Sequence, residues 1–165
     1  MAIIAVSDFV GRYNLVKDVY STQLIGDYIV KFEKKYLYQL LGVELAELLI
    51  ADISGGVPSS PEYAKIFNPL YFNDSCDNLY HSDGIKSLLL GLVYWHYTIE
   101  GRLTPSITGG TSQNEVEVGK IALSRSEIFA RYNDSVDYAK CIQRYILENS
   151  SDYPTFKGNK FTYNY

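Results

Sequence analysis

Residues 85–99, "IKSLLLGLVYWHYTI", constrain the fold more than any other stretch. Leu88, Leu89, Leu90, Leu92, Val93, Trp95, Tyr97 and Ile99 fall on every side of a helix, and a helix that is apolar all round has to be covered all round. Cover can come from its own domain or from neighbouring subunits. The run is only about fifteen residues long and carries Lys86 and His96, short of the roughly 20 residues a bilayer span needs. The expectation is therefore a buried central helix over about 83–101, capped by Ser82 or Asp83, with no membrane partner.

The rest of the chain supplies the cover. Ser21 or Thr22 is placed to cap a helix running to Leu41, with Ile25, Tyr28, Ile29, Phe32, Tyr36, Leu37 and Leu40 at helical spacing. Lys31, Lys34 and Lys35 take most of its other side. Gly42 ends or bends that helix. "VELAELLIADI" forms a second helix on Leu45, Leu48, Leu49 and Ile53, and "SGGVPSSP" closes it with a loop. Ser59 or Ser60, followed by Pro61 and Glu62, starts a short helix over "PEYAKIF". "NPLYFNDSCDNLYHSDG" reads as irregular and aromatic, and the N-terminal stretch as an extended lead.

Residues 102–124 contain Pro105, the Gly109-Gly110 pair and a brief alternation on Val116 and Val118. So long a connection is uncommon inside a compact domain. It is expected to be a mobile loop able to pair into a short hairpin against a neighbour, or else a plain linker. A last helix runs from about Ser126 to Asn149 on Ile128, Tyr132, Val136, Ala139, Ile142 and Ile146. The fold class expected is all-α: a small bundle of four to five helices, with residues 1–151 as one domain.

After it comes "DYPTFKGNKFTYNY", with five aromatics and no periodicity to fold them. Such an arm has surface to bury and nothing local to bury it on. Residues 152–165 are expected to dock on a partner, through Tyr153, Phe156, Lys157, Phe161, Tyr163 and Tyr165.

Composition narrows the function classes. At 165 residues, one domain can bury roughly 70% of its unfolded surface. Its 16 tyrosines suit interfaces as well as cores. A net charge of −4 with no block of Lys or Arg argues against gripping a nucleic-acid backbone. A mildly acidic surface can instead let DNA slide past. Cys76 and Cys141 lie outside any CxxC pattern and are expected to be buried free thiols in a reducing compartment. "MAIIAVSDFVGRYN" lacks the basic and apolar regions of a signal peptide.

No catalytic set emerges, and no cofactor or metal is expected. "EVEVGK" has Asn114 and Ile121 where a phosphate loop needs Gly and Ser/Thr. His81 and His96 are too far apart to be an i, i+4 ligand pair; His96 reads as a hydrogen-bonded core residue and His81 as exposed. Glu44/Glu47 and Asp134/Asp137 are i, i+3 pairs of the kind that mark solvated faces. Carboxylates converging from different helices stay open as a dispersed site.

"YIVKFEKKYLYQLLGVELAELLIADISGGVPSSPEYAKIFNP", "GIKSLLLGLVYWHY", "RYNDSVDYAKCIQRYI" and "YPTFKG" stand in an order that resembles tailed-phage head–tail connector (adaptor) proteins, the neck ring proteins of crAss-like phages. The resemblance spans most of the chain except 102–124, and its motifs are structural. It implies a helical subunit repeated about twelvefold around the portal axis, located in the virion neck and made in the host cytoplasm. Its partners would be the portal protein, its own copies and further neck or tail proteins, with DNA passing through unbound. The alternatives are a stopper-like or tail-completion component, or a small cytosolic helical enzyme or regulator.

Overall fold

A computed structural model describes residues 2–15, 19–100, 103–104, 111–112 and 125–158. Among them, five α-helices run Val19–Leu41 (α1), Val43–Asp52 (α2), Pro61–Phe67 (α3), Gly84–Glu100 (α4) and Arg125–Glu148 (α5). Short antiparallel ribbons join some of them. Ile53–Ser54 (β1) pairs with Val57–Pro58 (β2), Leu70–Asn73 (β3) with Leu79–Ser82 (β4), and Leu103–Thr104 (β5) with Thr111–Ser112 (β6). The fold is thus predominantly α but not purely so.

The apolar run is covered as its composition requires. Ile85, Leu88, Leu89, Leu92, Val93 and Tyr94 of α4 are completely buried, between α1 on one side and α5 on the other. Each such side chain contributes roughly 1.5–3 kcal/mol by leaving water. Gly91 sets how closely α5 approaches: a β-carbon there would run into Ser135 Oγ. Ser135 itself is satisfied within its helix, donating to the Arg131 carbonyl at 3.0 Å.

Helix boundaries follow local chemistry. Gly42, with φ of 80°, separates α1 from α2 as its sequence position suggests. Ser60 is the N-cap residue of α3 with Pro61 in its first turn. Asp52 closes the intervening loop by accepting from Ser60 N–H (2.8 Å) and Oγ (2.7 Å). Ser82 Oγ accepts from Gly84 N–H at 3.0 Å at the start of α4. Ser21 and Thr22 do not cap α1, which begins two residues earlier at Val19.

Ile53, expected on the second helix, lies in β1, and two further regions before α5 differ from the sequence expectation. The N-terminal lead is not simply extended: it makes two 3-10 turns, Val6–Asp8 and Gly11–Tyr13. These bury Ile3, Ile4, Phe9 and Tyr13. The buried Glu33 carboxylate on α1 holds the lead, its Oε2 accepting from Ile3 N–H (2.9 Å) and Ile4 N–H (2.8 Å). Lys86–Asp8 and Arg12–Asp134 ion pairs fasten it to α4 and α5.

The "irregular" aromatic stretch is the β3–β4 hairpin. Asp74 builds its turn: Oδ1 accepts from the N–H groups of Cys76 and Asn78, both at 2.9 Å, and Oδ2 meets Arg144 of α5 at 3.2 Å. Phe72 and Tyr80 stack across the strands, and Phe72 meets Tyr145 edge-on, seating the hairpin on α5. Cys76 is consequently exposed at the turn rather than buried, whereas Cys141 is buried as expected.

Candidate functional site

The docking residues read from the sequence divide into two groups. Tyr153 is 1% exposed and belongs to the domain's own core, so it is not available to a partner. Its hydroxyl donates to the Glu62 carbonyl of α3 at 2.5 Å, and its ring meets Tyr145 edge-on. Phe156 is half-buried against the same core, its N–H bonded to the Tyr153 carbonyl at 3.0 Å. The core therefore continues past residue 151. Local periodicity cannot reveal this, because the carbonyl that the Tyr153 hydroxyl binds lies 91 positions back in the chain. Lys157 is exposed and pairs with Glu44 of α2 at 3.4 Å. Phe161, Tyr163 and Tyr165 lie outside the described residues, as do Val116, Val118 and the "EVEVGK" stretch.

The polar constellation with the most chemical content is Tyr36–His96–Glu100. His96 Nδ1 lies 2.8 Å from Glu100 Oε1 and Nε2 lies 2.5 Å from the Tyr36 hydroxyl. A carboxylate only accepts, so Nδ1 carries the proton and Nε2 accepts from Tyr36. The imidazole also stacks on Phe32, with centroids 3.7 Å apart.

Burial lowers the His96 pKa against the opposing pull of Glu100, and burial raises that of Tyr36. Burial also works to raise Glu100, but its bond from His96 and the nearby Lys31 leave it lowered. A hydroxyl held neutral in this way is the opposite of an activated nucleophile. The relay ties α1 to α4.

Other reactive groups are similarly committed. Glu47 pairs with Lys34 and accepts from Tyr38, Asp134 pairs with Arg12, and Asp137 pairs with Lys140. Burial pushes the Cys141 thiol up to about 11. Among the described residues, no group of three His, Cys, Asp or Glu is arranged to hold a metal ion. No helix among them is long and apolar enough to cross a membrane. A shallow depression lined by Pro61, Glu62, Lys65 and Asp152 lies where the C-terminal segment crosses α3.

Beyond these pairings, the described residues leave exposed the free Cys76 at the hairpin turn and a set of apolar side chains. Tyr71 is 68% and Leu79 72% exposed, both on the outer face of the β3–β4 hairpin. His81, exposed as expected, stacks on Tyr71 with centroids 4.4 Å apart and reaches Asp83 at 3.0 Å. Val19 and Val30 are exposed about three turns apart on one face of α1. The sequence signal for the hairpin surface was the "NDSCDN" turn cluster between two aromatic runs. Comparison with known protein families, curated proteins and solved structures returns no match for this chain.

Proposed function

We propose that this chain is a structural subunit of a ring joining a phage capsid portal to the tail and extending the DNA channel. The observation that carries the reading is the division just described. The ionisable groups of the relay, the turn and the helix faces hold the fold together, while large apolar side chains on the hairpin and α1 face outward. Tyr71 and Leu79 share one face of the hairpin, a grouping that fits an association surface, whereas singly exposed residues such as Val57 and Leu147 need no such reading. The order of motifs resembling connector proteins supplies the context: the virion neck, with the portal, further copies and other neck proteins as neighbours.

Docking falls to the chain beyond Gly158 together with these exposed faces, since Tyr153 serves the core. A net charge of −4 suits a lumen along which DNA passes without ion pairing to phosphate. The enzyme alternative needs a deep pocket of convergent carboxylates lined by His96 or Tyr97. His96 is instead enclosed by Phe32, Tyr36 and Glu100.

The test is the mass of the complex formed by the full chain and the portal ring of the same genome, by native mass spectrometry. One chain per portal subunit is the expected result. Absence of binding, with the chain staying monomeric, would remove the adaptor reading and favour a stopper-like position further down the neck.

A further inference from the structure

The strands of the β3–β4 hairpin carry few of the side chains that usually guard a sheet edge. They read "LYFN" and "LYHS". Within those residues stands no Lys, Pro or acidic side chain, three of the devices that keep a sheet edge from pairing with another chain, although Pro69 precedes β3 and Asp74 follows it. β4 lies against α5, which makes β3 the outer strand.

The ladder's phase shows which groups of β3 are free to pair. Asp74 N–H donates to the Asn78 carbonyl at 3.0 Å. Hydrogen-bonded pairs alternate with non-bonded ones along an antiparallel ribbon. Counting back from Asp74–Asn78, the bonded pairs are Phe72↔Tyr80 and Leu70↔Ser82. Tyr71 and Asn73 therefore turn their backbone N–H and C=O groups away from β4. A strand laid along β3 would bond to them, with the exposed Tyr71 ring beside it.

The sequence contains a stretch of matching chemistry. In "KFTYNY", residues 160–165, Phe161, Tyr163 and Tyr165 alternate with Lys160, Thr162 and Asn164. Residues 152–165 as a whole have no apolar periodicity, but these last six, paired as a strand, would put the aromatics on one face and the polar residues on the other. Seven residues follow Gly158, enough for about 24 Å of extended chain. The C-terminal segment passes from Tyr145, beside the hairpin's inner face, to Glu44 on α2. It thus leaves the domain away from its own β3 edge.

We infer that residues 159–165 of one copy add as a third, edge strand to β3 of the next copy. The inference rests on the reading that copies stand side by side. Donor and acceptor are different surfaces, so each copy gives one and takes one, a head-to-tail contact that makes a ring where the rotation between copies closes.

Sedimentation equilibrium on the full chain tests this with two variants. Tyr71→Lys puts a guard on the acceptor edge, and Thr162→Pro removes an N–H from the donor strand. Each alone is expected to weaken self-association ~10-fold or more, with circular dichroism melting unchanged. Mixing the two is expected to restore pairs, because one variant keeps a working edge and the other a working segment.

A wild-type chain that stays monomeric, variants that associate like wild type, or a mixture that fails to pair would each overturn the inference. Portal binding separates it from the ring reading. If the portal is bound one-to-one and neither variant changes association, strand addition falls and the ring stands. If the mixture pairs but no portal is bound, the ring reading falls and strand addition stands.

Discussion

The two ends of the chain enter one core by different chemistry. At the N-terminal end, Ile3 and Ile4 are held by a buried carboxylate, Glu33, which accepts two backbone N–H groups on one oxygen. At the C-terminal end, the neutral Tyr153 fills a socket between Tyr145 and α3 and makes a single hydroxyl–carbonyl bond. The first link buries a titratable group and fixes backbone direction. The second buries area and depends little on charge. A short terminal segment can thus be ordered by a polar clasp or by an aromatic plug, and the two should fail under different conditions.

Substitution separates the links, and the largest effect is expected at the plug. Tyr153→Ala should cost about 3–5 kcal/mol by emptying a large buried site, read as a lowered midpoint in urea denaturation. Glu33→Ala should cost about 2–4 kcal/mol, because two buried N–H groups lose their acceptor. Amide exchange at Ile3 and Ile4 should rise in that variant while Tyr153 stays protected. A cost equal to that of Tyr153→Ala, with exchange rising at both ends, would show that the ends do not act separately.

Acid sharpens the contrast. Burial raises the Glu33 pKa despite the two N–H groups that oppose it. Its contribution to stability is therefore full below the ordinary carboxylate value and is lost as pH rises through the folded value. His96 has the opposite sign. Burial lowers its pKa, so its contribution is full above the ordinary imidazole value near 6.5 and is lost as pH falls. The stability difference between wild type and Glu33→Gln should shrink as pH rises from acid. The deficit of Tyr153→Ala should stay flat from about pH 4 to 8, since a phenol is neutral throughout that range.

The smallest effect should come from Tyr153→Phe, at about 0.5–1.5 kcal/mol for one hydrogen bond. A loss approaching that of Tyr153→Ala would make the hydroxyl, not the ring, the main lock.

How much of this was legible follows from where each signal lies. The five helices were readable because their apolar residues recur within a few positions, and Gly42, Ser60 and Pro61 mark their ends locally. Neither terminal link has such a signal. Glu33 meets residues 29 and 30 positions away, and Tyr153 meets a carbonyl 91 positions away. The hairpin was missed because four-residue strands are too short to establish alternation. Its turn chemistry, Asp74 accepting from two following amides, was the clue available. At the candidate surface, the aromatic richness of the C-terminal segment was plain. Composition could not show that the core takes up Tyr153 and half-covers Phe156.

The position of Tyr153 also acts as a check on completeness. A chain cut between α5 and that residue would hold all five described helices yet leave a wet, apolar socket beside Tyr145. Such a product would open more often and meet proteases sooner than the intact chain. Fragments would then be cleared first, so the aromatic ring that fills the core also separates a protease-resistant chain from a cut one.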